Sequence, residues 1–153
     1  MILEGTYRFA AEAAAVFPLL LDPEVLKAAL PGVETFARTD AHRYEGTMRV
    51  GVGAIAAAEF QVVVTLTDVE PPRHYVMHID GKGRFGFTRG TADVALSPDE
   101  GGCEMRYRAD VQVGGMIAGV GQRLLDSVSK QMARQCLEAL SREIERRLAE
   151  DAR

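Results

Sequence analysis

At 153 residues, with 47% apolar and 26% charged residues, the chain has the size and composition of one soluble domain with a sizeable core. Its formal net charge is −4, from 18 Lys and Arg against 22 Asp and Glu. No basic run interrupts that scatter, which argues against nucleic acid as a partner and against a polybasic membrane anchor. Cys103 and Cys136 form no CxxC pair, the N-terminus carries no signal peptide, and no apolar run is long enough to span a bilayer. The expectation is a single domain over residues 1–153 in the reducing cytoplasm.

The first stretch, "ILEGTYRF", alternates, with Leu3, Gly5, Tyr7 and Phe9 on one face and Glu4, Thr6 and Arg8 on the other, and predicts a half-buried strand. "AEAAAVFPLLLDPEVLKAALPG" reads as two short helices. Asp22 is the N-cap of the second, Pro23 its first residue, and Pro31-Gly32 its stop. From Val33 the period switches to two. "YEGTMRVGV", "EFQVVVTLTDV", "HYVMHI", "TADVAL" and "EMRYRADVQV" each set apolar residues on alternate positions, and "TDAH", "EPPR" and "PDEGG" supply turns at hairpin spacing. The segment from about 115 to 149 predicts one long helix, with Leu124, Val128, Met132, Cys136, Leu140, Ile144 and Leu148 four residues apart. A four-residue step drifts about 40° against the 3.6-residue turn, so the first half faces a sheet and the second rotates away. Its far end carries Glu-Arg pairs such as Glu138–Arg142 and Glu143–Arg147 and reads as a solvated end, with self-association into a homodimer as the alternative.

The order is strand, two short helices, six antiparallel strands and a long C-terminal helix: an α+β fold in which a curved seven-stranded antiparallel sheet wraps around that helix. A sheet with one apolar face needs a cover, and a single helix leaves a cavity in the concavity. Gly114, Gly115, Gly119 and Gly121 stand where the last strand meets the helix, although glycine in a helix costs roughly 1 kcal/mol against alanine. Gly114-Gly115 would turn the chain, while Gly119 and Gly121 would leave room beside the helix start or allow close backbone packing.

Chemistry-bearing motifs are sparse. "GKGRFG", residues 81–86, satisfies GxGxxG, but a strand-like run follows it where a dinucleotide site needs a helix, so it reads as a hairpin loop. His74 and His78 lie about 13 Å apart on a strand, too far to share a metal ion, and out of phase with the apolar set. His42 sits in a turn, Cys136 reads as a small core residue, and Cys103 as a strand-edge thiol. No carboxylate pair and no Ser-His or Cys-His arrangement has recognisable spacing, so no catalytic residue, metal set or cofactor is expected.

Several stretches carry a family resemblance: "DPEVLKAALPGVE", "VGVGAIAAAEFQVVVTLTDVEPPRHY", "GKGRFGFTRGTADVAL" and "ADVQVGGMIAGVGQRLLDSVSKQMA". Together they resemble the carbon monoxide dehydrogenase CoxG family of the START/SRPBCC superfamily, from about residue 2 to residue 140. The resemblance implies a helix-grip fold and a non-enzymatic accessory role to a molybdenum hydroxylase of the carbon monoxide dehydrogenase type. It also implies binding of a hydrophobic molecule, a quinone or lipid-like compound, and peripheral contact with the inner face of the cytoplasmic membrane that links the enzyme to the quinone pool. Members with a membrane role often carry a long tail with an apolar end, whereas this sequence stops at Arg153; ligand binding is the firmer expectation. The expected cavity lining is Met48, Val50, Phe60, Val62, Met77, Tyr107, Val111, Met116, Val120 and Leu124, with Tyr44 or Tyr107 bonding a ligand carbonyl. Leu30, Phe85 and Phe87 would border the mouth. A cyclase- or hydrolase-type enzyme using the same cavity, and a structural adaptor without a ligand, are the alternatives.

Overall fold

A computed structural model describes residues 1–152. The elements are β1 (Ile2–Phe9), α1 (Ala13–Leu20), α2 (Pro23–Ala29), β2 (Val33–Asp40), β3 (Arg43–Val52), β4 (Ile55–Glu70), β5 (His74–Gly83), β6 (Gly86–Asp99), β7 (Gly102–Gly114), a 3-10 turn (Met116–Val120) and α3 (Gln122–Asp151). The strands form one antiparallel sheet of seven in the order β1-β7-β6-β5-β4-β3-β2. This is the helix-grip arrangement that the alternation and the element order predict. Inward positions such as Phe60, Val62, Val64 and Leu66 on β4, and Val94 and Leu96 on β6, are buried, while their neighbours along the strand face outward.

Local chemistry fixes the ends. The Asp22 carboxylate accepts the Glu24 N–H at 2.8 Å, and Pro23 opens α2. The "GKGRFG" stretch is the β5–β6 hairpin, closed by the Gly83–Gly86 pair around Arg84 and Phe85.

α3 begins at Gln122, not near residue 115 as the sequence predicts. Gly115 (φ 81°) and Gly121 (φ 100°) occupy left-handed backbone, which breaks the helix into a short 3-10 turn and a later start. Gly115 also passes close to β6, since a Cβ there would stand 2.6 Å from the Gly86 Cα. At Gly119 and Gly121 a Cβ would meet nothing within 4 Å, so neither residue serves close packing against the sheet. Gly121 is explained by its φ; nothing in the structure explains Gly119.

The distal half of α3 is not a bare solvated end. Leu140 and Ile144 are buried, and this half turns from the sheet onto α1 and α2. Arg147 bridges Glu143 at 3.3 Å and Asp22 at 3.7 Å, tying the helix to the cap of α2. Arg146, hydrogen-bonded to Glu143, is the chief reason that carboxyl is held below its ordinary range.

Candidate functional site

Between the concave face and the first half of α3 lies an apolar cavity of about 320 Å³. The strands contribute Leu3, Met48, Val50, Val52, Phe60, Val62, Ile79, Thr88 and Val113, the α2–β2 turn contributes Leu30 and Pro31, and the 3-10 turn contributes Ile117. α3 closes it with Leu125, Val128, Ser129, Met132, Ala133 and Cys136. The polar side chains in this wall are the Thr88 and Ser129 hydroxyls and the Cys136 thiol, which burial pushes up to about 11.

Gly81 takes an inward position on β5 where the neighbouring strands carry larger side chains. A Cβ there would meet the Thr88 methyl at 2.8 Å, Val62 at 3.8 Å and Phe60 at 3.9 Å. Gly46, inward on β3, is filled likewise: a Cβ there would meet the Thr35 carbonyl oxygen and, at 2.9 Å, the Phe36 ring.

Of the residues expected at the site, the structure places Leu30, Met48, Val50, Phe60 and Val62 around this cavity and the others elsewhere. Tyr44 is buried, stacked on Phe36, and its hydroxyl donates to the Leu21 carbonyl at 2.5 Å; it caps the end of α1 and is not free for a ligand. Met77 is inward but lies beyond Ile79, nearer the end of the sheet where Phe17 packs edge-on against Tyr75. Val120 and Leu124 pack over the β3–β4 turn, at 3.7 Å and 3.0 Å from the Cβ position of Gly53. Leu125, one position on, faces the cavity on the same side of the helix as Val128 and Met132, three and seven residues further along.

Met116 is 67% exposed on the 3-10 turn, where the next residue, Ile117, packs into the cavity wall instead. Val111 lines a recess with Phe87 and Gln122 that meets the cavity at Val113 and Leu125. Phe87 is in the outward phase of β6, its ring across Gly114 and under the Arg89 guanidinium at 5.0 Å. Phe85 sits at the hairpin tip with Arg84 over its ring at 5.9 Å, and its carbonyl accepts the Ile117 N–H at 2.7 Å. Tyr107 lies in a groove beside the cavity, between β1 and α3.

Val128, Met132 and Cys136 belong to the stripe visible in the sequence, and Ile79 and Val113 to its inward strand phases. Their role as cavity wall had no signal of its own.

Two grooves flank α3 and share walls with the cavity. The one on the β3 side, about 230 Å³, holds Arg49, Gln131 and Gln135 and meets the cavity at Pro31, Val50, Val128 and Met132. The one on the β1 side, about 510 Å³, holds Tyr7, Tyr107, Lys130, Arg134 and Glu138 and meets it at Leu3 and Ala133. A larger recess of about 760 Å³ crosses the outer face of the sheet between Arg43, Asp80, Lys82, Arg89 and Asp110. Its mixed charges do not suit an apolar ligand.

A curved antiparallel sheet gripping a long C-terminal helix, with an apolar cavity between them, defines the START-like class of ligand-binding folds. The profile of the carbon monoxide dehydrogenase CoxG family matches residues 5–145, and the chain belongs to that family. Among solved structures it is similar to a conserved protein from Geobacillus kaustophilus, at TM-score 0.88 and 24% identity over 95% of this chain and 96% of that one. It is also similar to Ara h 8.0201, at TM-score 0.66 and 12% identity over 94% and 97% of the two chains. The di-domain ARO/CYC StfQ of the steffimycin biosynthetic pathway matches at TM-score 0.68 and 13% identity, over 97% of this chain and 52% of that one. At these identities the structural likenesses establish the fold alone. No curated protein matches the sequence.

Proposed function

We propose that this protein is a non-enzymatic accessory of a molybdenum hydroxylase of the carbon monoxide dehydrogenase type, and that it holds a quinone or lipid-like molecule in its cavity. One observation carries the reading: the 320 Å³ cavity is walled almost wholly by aliphatic and aromatic side chains, with Thr88 and Ser129 as its hydroxyls. Such a wall favours apolar bodies and offers no acid, base or nucleophile poised for chemistry; its one thiol is held protonated at neutral pH. Its volume falls at the small end of ligand pockets, about twice that of a cavity that admits benzene. A body of about two rings fits, and the rest of a longer molecule extends into the flanking grooves.

Family membership supports the partner enzyme. No helix among the described residues is long and apolar enough to cross a membrane, so contact with the inner face of the cytoplasmic membrane is proposed as peripheral.

Native mass spectrometry of the protein from its own host, followed by organic extraction, tests the ligand. A quinone or lipid-like molecule near one per chain is the expected result. A protein that is empty and also fails to bind added menaquinone overturns the ligand role and leaves the adaptor reading. Co-purification of the molybdenum hydroxylase with tagged protein tests the partner separately.

A further inference from the structure

Resting on the ligand-binding reading above, we infer that the groove between β1 and α3 is the head-group site. It would hold an oxygen acceptor (a carbonyl, carboxylate or phosphate oxygen) whose apolar body lies in the cavity. The first reason is continuity. Leu3 and Ala133 belong to both walls, so the groove adjoins the cavity along those two side chains.

The second reason is the donor set. Tyr7 and Tyr107 line the groove, and neither hydroxyl bonds a protein group among the described residues or counts as a buried unsatisfied atom, so both are open to it. Lys130 and Arg134, four residues apart on α3, form no ion pair among the described residues. The acids nearby do not cancel them evenly. Glu4 is taken by Arg108 at 3.4 Å, and Glu138 is the one carboxylate left in the groove. Two cations and two phenols against one carboxylate favour an acceptor head.

The third reason is how Tyr107 is placed. It pairs with Gly5 across the β1–β7 ladder, and a Cβ at Gly5 would stand 2.9 Å from the Tyr107 hydroxyl. Glycine at that inward position lets the phenol lie across β1 with its hydroxyl in the groove. The β3-side groove offers no comparable site. Its cation, Arg49, is already held by Glu34 at 3.2 Å and Glu59 at 2.8 Å.

Three probes share a two-ring body: 2,3-dimethyl-1,4-naphthoquinone with carbonyl oxygens, 2-naphthoate with a carboxylate, and 2,3-dimethylnaphthalene with no head. Titrations compare the parent protein with Tyr7→Phe/Tyr107→Phe and with Lys130→Gln/Arg134→Gln. Both double variants keep their packing, since the rings remain and Lys130 and Arg134 are exposed. Loss of the phenols weakens the quinone about fivefold, and loss of the cations weakens the naphthoate about tenfold. The hydrocarbon holds its affinity in both variants. Whichever headed probe binds the parent more tightly identifies carbonyl or oxyanion as the preferred acceptor.

Affinities for both headed probes that stay within twofold in both variants overturn the head-group assignment while the cavity reading stands. Failure of all three probes to bind the parent overturns both.

Discussion

Replacing Val62 by tryptophan separates a working cavity from a packing defect. Val62 sits on β4 in register with Gly46 on β3 and Gly81 on β5. Phe36 already covers Gly46, and Val62 itself lines the cavity, so a larger side chain at 62 grows into that space. A space of 320 Å³ takes about two rings, and an indole is a two-ring body. The substitution therefore fills most of the ligand's place. If it excludes at least ~100 Å² of ligand contact, then at ~25 cal/mol per Å² the loss is about 2.5 kcal/mol, or roughly 70-fold in Kd. The fold itself loses little. Overpacking strain of about 1–3 kcal/mol is opposed by the apolar area that the ring buries, so Tm falls by less than about 12 °C. Circular dichroism and thermal unfolding report the fold, and titration with 2,3-dimethyl-1,4-naphthoquinone reports the site. A variant with a native spectrum that binds within threefold of the parent refutes the cavity as the binding place.

Other outcomes follow from single residues. Ile144→Ala removes a fully buried side chain from the distal half of α3, and the large-to-small cost of about 2–5 kcal/mol lowers Tm by roughly 4–20 °C; a change under 2 °C would return that half of the helix to a merely solvated role. His74 hydrogen-bonds Asp93 at 3.1 Å, which raises its pKa above the ordinary 6.5. The stability from this pair is therefore present in full below pH 6.5 and is lost as pH rises through the raised value. Both partners are partly exposed, so the effect is under about 1 kcal/mol, and Asp93→Asn should return the NMR-titrated pKa of His74 toward its ordinary value. Burial holds the Cys136 thiol at about 11, so alkylation by iodoacetamide at pH 8 should run more than about a hundredfold slower than for a free thiol. Fast labelling would mean that the cavity wall opens to water.

How far the sequence displays this molecule depends on which interactions decide each feature. Strand and helix order is local: alternation at Phe60, Val62 and Val64, the Asp22-Pro23 cap and the hairpin glycines each act within a few residues, and the structure has all of them. The cavity wall is not local. Its α3 side depends on where the helix starts and how it lies against the sheet, and the break at Gly121, with its positive φ, is not written in the apolar stripe. The same four-residue spacing that marks Leu124 leaves Leu125 to face the cavity. Tyr44 departs from expectation for a related reason. An inward tyrosine looks available to a ligand until the Leu21 carbonyl arrives from a helix 23 residues earlier.

A further signal for the site does stand in the sequence. Gly5 and Gly81 interrupt the inward sets of β1 and β5, where other strands carry Val, Phe or Leu. An inward glycine costs a strand both packing and backbone entropy, so something has to occupy the place of its missing side chain. At Gly46 that is Phe36, and at Gly5 it is the Tyr107 phenol. At Gly81 it is the Thr88 methyl, 2.8 Å from where a Cβ would be, and Thr88 itself lines the cavity. Asking what fills each inward glycine therefore locates the groups that take its place: Phe36 at Gly46, the Tyr107 phenol at Gly5 and the Thr88 methyl at Gly81, the last two bordering the groove and the cavity.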